Sequence, residues 1–130
     1  VVINIGPHTY NLKFLDVAET ELTTHTNYGL TNKYTHEITV SSGIPTSTML
    51  VTLLHELLHA IHDIYVPDGV LSDEIEEVIV DKYAMGLTDL FQRNVEVLDQ
   101  IFDWAIEQYE PNNITSEVVD DIEEGEDNEN

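Results

Sequence analysis

The chain has 130 residues, 42 % of them apolar, with no cysteine and a formal net charge of −22 from 26 acidic and 4 basic side chains. Such a length and composition suit one folded domain with its own core, not two domains and not a disordered chain. They exclude disulfides and thiolate metal ligands, and they argue against binding to nucleic-acid phosphates or to an anionic membrane surface.

No apolar run approaches the roughly 20 residues of a membrane span. The opening stretch VVINIGPHTY lacks the basic, apolar and small-residue regions of a signal peptide. Absence of cysteine fits a reducing compartment, the cytoplasm. The excess of acids draws in basic partners or substrates, although solubility alone is a sufficient use for it. Eight of the acids lie between Pro111 and Asn130 with no base among them. The expected organisation is therefore a single domain over residues 1–110 and an acidic, solvated and mobile tail over 111–130.

The first 40 residues favour strands. VVINI ends at the turn signal Gly6-Pro7, and HTYNLKFLDV follows with Tyr10, Leu12 and Phe14 alternating against Asn11 and Lys13. ETELTTHTNYGLTN is rich in threonine, with Gly29 and Asn32 as turn markers. KYTHEITV reads as a strand with Tyr34, His36, Ile38 and Val40 on one side.

After SSGIPTS the period changes. Met49, Leu50, Leu53, Leu54, Leu57, Leu58, Ile61 and Ile64 recur at helical spacing, Thr46 or Ser47 can cap the start, and Pro67-Asp68-Gly69 ends the run. A second helix is predicted from Ser72 or Asp73 to about Phe91. A third runs from about Asn94 to Tyr109, with Val95, Leu98, Ile101, Phe102 and Ala105 as its buried stripe. The predicted fold is α+β: a small antiparallel N-terminal sheet packed on about three helices.

Within the first helix, TLLHELLHAIHD carries His55, Glu56, His59 and His62. At 100° per residue His59 lies about 40° from His55 and His62 about 20° to the other side, while the apolar set centres near 220°. The histidines thus face water or a cleft, away from the main apolar stripe. Residues four apart sit about 5–6 Å from each other, so two imidazoles can reach one zinc ion. Glu56, turned by about 100°, cannot easily share that ion but can take a proton from a water beside it. This is the chemistry of H-E-x-x-H on a helix, in which an acidified water attacks a peptide carbonyl. With 6 histidines and 15 glutamates the pattern arises by chance about 0.03 times in such a chain. His62 is about 10.5 Å along the axis from His55, too far to share the ion, and reads as a cleft or surface residue. Asp63 reads as a surface acid.

A catalytic zinc site needs a third protein ligand and an open position. No histidine follows His62, so a carboxylate of the second helix must serve, from Glu74, Glu76, Glu77 and Asp81. Glu76 points into the middle of that helix's apolar arc and Glu77 to its edge, so burial alone favours Glu76. Glu77 has Asp81 one turn on, where Asp81 can orient an imidazole.

HELLH followed by Glu77-Val-Ile-Val-Asp81 resembles the gluzincin metallopeptidases. The wider chain, over about residues 8 to 105, resembles small phage-encoded zincin-like proteins related to the ImmA/IrrE type, through YGLTNKYTHEITVSSGIP, TLLHELLHAI and EEVIVDKYAMGL followed by FQRN. The resemblance implies a minimal zincin-like fold, a zinc endopeptidase acting in the host cytoplasm, His55, His59 and Glu77 as zinc ligands, and Asp81 supporting a histidine. Glu76 is then the reserve ligand. It also implies that the strand THEITV edges the cleft and pairs with an extended peptide. For the oxyanion of the reaction the sequence offers Tyr28, His62, Tyr65 and Tyr83, each equally readable as packing or surface.

Three functions follow as expectations. The first is a zinc peptidase with Glu56 as general base, acting on peptides, preferably basic ones. The second is a zincin-fold protein whose metal is structural and which binds a partner without catalysis. Glu56 separates these two, because a structural site has no need of a proton acceptor there. The third is an acidic mimic of nucleic acid, which leaves HELLH unexplained.

Overall fold

The computed structural model describes residues 1–16 and 28–109. The N-terminal part of the threonine-rich stretch and the expected tail over 111–130 lie outside the described residues. Contacts divide the chain into two compact units, Val1–Leu90 and Phe91–Asn130.

The α+β expectation holds: four strands precede three helices, as β1 (Val2–Ile5), β2 (His8–Leu15), β3 (Gly29–Asn32), β4 (Glu37–Ser41), α1 (Thr46–Tyr65), α2 (Asp73–Arg93) and α3 (Val95–Tyr109). The sheet, however, is mixed, in the order β1-β2-β4-β3. β1 with β2 and β3 with β4 are antiparallel, as expected, but the central pair β2 with β4 is parallel, from Asn11 opposite Glu37 to Leu15 opposite Ser41. The cause is topological. After β2 the chain passes to the outer position of β3, and its hairpin return lays β4 beside β2 in the same direction. A parallel pair needs a long connection, and residues 16–36 provide it.

Two turns set the registers. Gly6 adopts φ +56°, a left-handed value that suits the tight two-residue link between β1 and β2. Between β3 and β4 the Asn32 side chain accepts hydrogen bonds from the backbone N–H groups of Tyr34 and Thr35 at 3.0 and 3.1 Å. This side-chain turn competes with strand geometry, so the strand expected over KYTHEITV is shortened to Glu37–Ser41. His36 sits in the turn at φ +55°, its ring stacked on Tyr10.

Ile38 and Val40 are fully buried with Tyr10, Ile5 and Ala60, and Leu53, Leu57 and Ile64 of α1 pack against them. Ala60 lets α1 lie close on the sheet. The expected cap by Thr46 or Ser47 is not made. Pro45 precedes the helix in extended geometry, and its carbonyl takes the N–H of Met49 at 2.9 Å. α2 starts at Ser72-Asp73 as expected, with the Ser72 carbonyl accepting from Glu76 N–H. None of the described helices is long and apolar enough to cross a membrane.

α3 departs from its expected burial. Val95, Ile101 and Phe102 are each exposed by 44 to 59 %, and none of the helix is buried. Helical periodicity shows which face of a helix is apolar but not what covers that face.

Candidate metal centre

All parts of the site belong to the first unit. The core stripe of α1, with Leu53, Leu57, Ala60 and Ile64, faces the sheet. That orientation aims His55, His59 and His62 at the acidic side of α2 and brings Glu56, between the two faces, under β3. Val80, Ala84 and Thr88 form the buried line of α2. Glu76, Glu77 and Asp81 flank this line and meet the histidines.

The Nε2 atoms of His55 and His59 are 3.1 Å apart. Both oxygens of Glu77 meet them, Oε1 at 2.9 Å from His55 Nε2 and Oε2 at 3.1 Å from His59 Nε2. Ligand atoms of these three residues all lie within 4.8 Å of one another. Two ligands about 2.0–2.1 Å from a tetrahedral zinc are themselves about 3.3–3.4 Å apart, so this donor set fits such an ion with only small adjustment.

The far side of each ring has its own carboxylate. His59 Nδ1 is 2.7 Å from Glu76 Oε2. A carboxylate accepts, so a proton on Nδ1 satisfies this contact and would leave the Nε2 lone pair free for a metal. Asp81 Oδ1 lies 3.8 Å from His55 Nδ1, near enough to attract the ring but beyond hydrogen-bond length. Glu76 and Glu77 occupy different places around His59. Glu76 is enclosed because it serves two imidazoles, His59 and His62, and it lies on the wrong side of His59 to share its Nε2. Glu77 is more exposed and faces both Nε2 atoms.

Glu56 is 7 % exposed. The Thr31 hydroxyl donates to its Oε2 at 2.9 Å and is also 3.0 Å from its backbone carbonyl. Burial pushes the Glu56 carboxyl above the usual range. The Thr31 hydrogen bond, His55 and His59 pull it back, and Glu77 adds to the upward push. The sequence reading missed both Thr31 and Gly29. Gly29 was read as a turn marker, yet it lies in β3, where an added Cβ would come within 2.7 Å of Thr52 Cγ2 and 2.8 Å of Glu56 Cγ. A glycine within a strand is a signal of close approach, and here it lets β3 lie over the glutamate.

A cleft of about 630 Å³ opens beside these groups, lined by Gly29 to Tyr34, by the α1 histidines and Glu56, and by Glu76 and Glu77. Asp63, read as a surface acid, also lines it; partial enclosure and the nearby Glu76 raise its carboxyl. The strand at the cleft is β3. β4, which carries THEITV, lies between β2 and β3 with both edges paired. Of the tyrosines considered for the oxyanion, Tyr28 lines the neighbouring recess with His55 and Asp81. Tyr65 and Tyr83 are 65 % and 64 % exposed and line neither cavity. The Tyr65 hydroxyl instead sits over Gly6. No known protein family, curated protein or solved structure matches this chain.

Proposed function

We propose that this chain is a zinc-dependent peptidase of the gluzincin kind. One observation carries the reading: two imidazole Nε2 atoms and a carboxylate converge within 4.8 Å, with the buried Glu56 one residue from His55. Histidines and acids on a merely solvated face would diverge into water.

In this reading His55, His59 and Glu77 hold the ion. When bound, zinc supplies a Lewis acid that lowers the pKa of water and polarises a carbonyl. Glu76 and Asp81 keep the two imidazoles turned toward it. Glu56 takes the proton of the attacking water and returns it to the departing amine, a task suited to a carboxyl whose affinity for protons is raised. Thr31 keeps that carboxyl in place. The outer edge of β3, which has no partner strand among the described residues, can pair with an extended peptide. This role passes to β3 from the strand THEITV. The acids around the cleft favour basic side chains in the substrate. The reaction is assigned to the cytoplasm, consistent with a cysteine-free chain.

The test is metal content together with cleavage of a peptide library by the wild type and by Glu56→Gln. One zinc per chain in both, with cleavage only by the wild type, is the expected result. Zinc in both and cleavage by neither would leave a metal-bearing interaction protein as the better account.

A further inference from the structure

Glu76 stands outside the set of atoms that meet at the site, yet its side chain is only 16 % exposed and each of its oxygens has a separate imidazole partner. Oε2 accepts from His59 Nδ1 at 2.7 Å, and Oε1 lies 3.1 Å from His62 Nε2. His62 is 17 % exposed, as enclosed as His59. A carboxylate held through one oxygen still pivots about its last torsion. A second imidazole beside Oε1, arriving from the next turn of α1, restricts that freedom.

We propose that His62 is a positioning residue for the metal centre, acting through Glu76 on His59. By holding Oε1 it fixes the plane of the carboxylate, and that plane fixes the His59 ring with its Nε2 toward His55 and Glu77. His62 does not touch the reacting atoms. The two imidazoles of the centre are then unequal: His59 is held through Glu76, which His62 backs, while on its Nδ1 side His55 has the more distant Asp81. The inference rests on the metal reading for its consequence, but the His62–Glu76–His59 arrangement is a property of the protein without metal.

The experiment uses the full chain and three variants. His62→Gln keeps an N–H donor, His62→Leu removes it, and His62→Phe replaces the leucine variant should that one not fold. Two quantities are read. The first is zinc affinity by competition with a chelator. The second is the tautomer of the His59 ring in the metal-free protein, from long-range proton–nitrogen correlations. The wild type and His62→Gln should show His59 protonated at Nδ1. His62→Leu should show a mixture of tautomers and a zinc affinity about tenfold weaker, with His62→Gln recovering most of the loss. An unchanged tautomer in His62→Leu, or failure of His62→Gln to recover it, overturns the proposal. Should the tautomer follow His62 as expected while the wild type takes up no zinc, the positioning link stands and the metal reading falls.

Discussion

The carboxylate of Glu76 meets His59 on the side opposite Glu77, accepting from Nδ1 at 2.7 Å while Glu77 approaches Nε2 at 3.1 Å. Two adjacent glutamates thus hold the same ring from opposite sides, one as orienting partner and one as candidate ligand. Successive residues on a helix are rotated by about 100°, which allows such a division of labour.

Removing the charge of Glu76 should therefore damage metal binding more than removing that of Asp81. Glu76→Gln is expected to weaken zinc affinity by about 10–100-fold. Asp81→Asn, whose wild-type carboxylate is 3.8 Å from its imidazole, should cost less. Chelator competition with both variants checks the order, and equal losses would contradict the assignment.

Thr31→Val keeps the shape of the side chain and deletes the hydroxyl that holds Glu56. Zinc content should not change, because Thr31 is not among the converging groups. Turnover should fall by about tenfold as the general base loses its orientation. Steady-state kinetics on a cleaved peptide, with metal analysis of the same sample, separate the two effects.

The ionisation of Glu56 carries a prediction about stability. Burial raises its carboxyl in the folded chain, so the folded state holds the proton more tightly than the unfolded state. Its favourable contribution is fully present below the unfolded carboxyl's range and is lost as pH rises through the raised folded value. Above that window the metal-free wild type bears the cost of a buried charge. Glu56→Gln should then be the more stable protein at neutral pH, with the advantage shrinking as the solution is acidified. Denaturant melts of metal-free protein from neutral to acidic pH measure this, and an advantage independent of pH would contradict it.

Gly29→Ala tests the close approach of β3 to α1. The added methyl would meet Thr52 and Glu56 at 2.7 and 2.8 Å, so the strand or Glu56 must move. A loss of about 1–3 kcal/mol is expected in denaturant unfolding, together with reduced cleavage. Gly69→Ala is a comparison with open space around it, although its own φ of +85° brings a separate backbone cost.

Several features are legible in the sequence alone. The periods of α1 and α2 were read nearly to the residue, because apolar spacing and the punctuation of Pro45, Pro67 and Gly69 are local. The pairing of His55 with His59 was legible for the same reason: four residues on a helix are one turn, whatever surrounds it. Local pattern also offered both Glu76 and Glu77, and it could not choose between them. That choice depends on the angle at which α2 meets α1, which places Glu76 at one nitrogen of His59 and Glu77 at the other.

The rest belongs to contacts between distant segments. The parallel pairing of β2 with β4 and the hold of Thr31 on Glu56 join residues 25 or more apart in the chain, and the edge position of β3 follows from that pairing. The sequence by itself determined which helix carries the histidines and which face of it they share, since helical geometry repeats within a few residues. Only the tertiary structure decided which carboxylate meets which nitrogen and which strand borders the cleft, since side-chain distances across a cleft follow from how whole elements pack and not from the order of residues within any one of them.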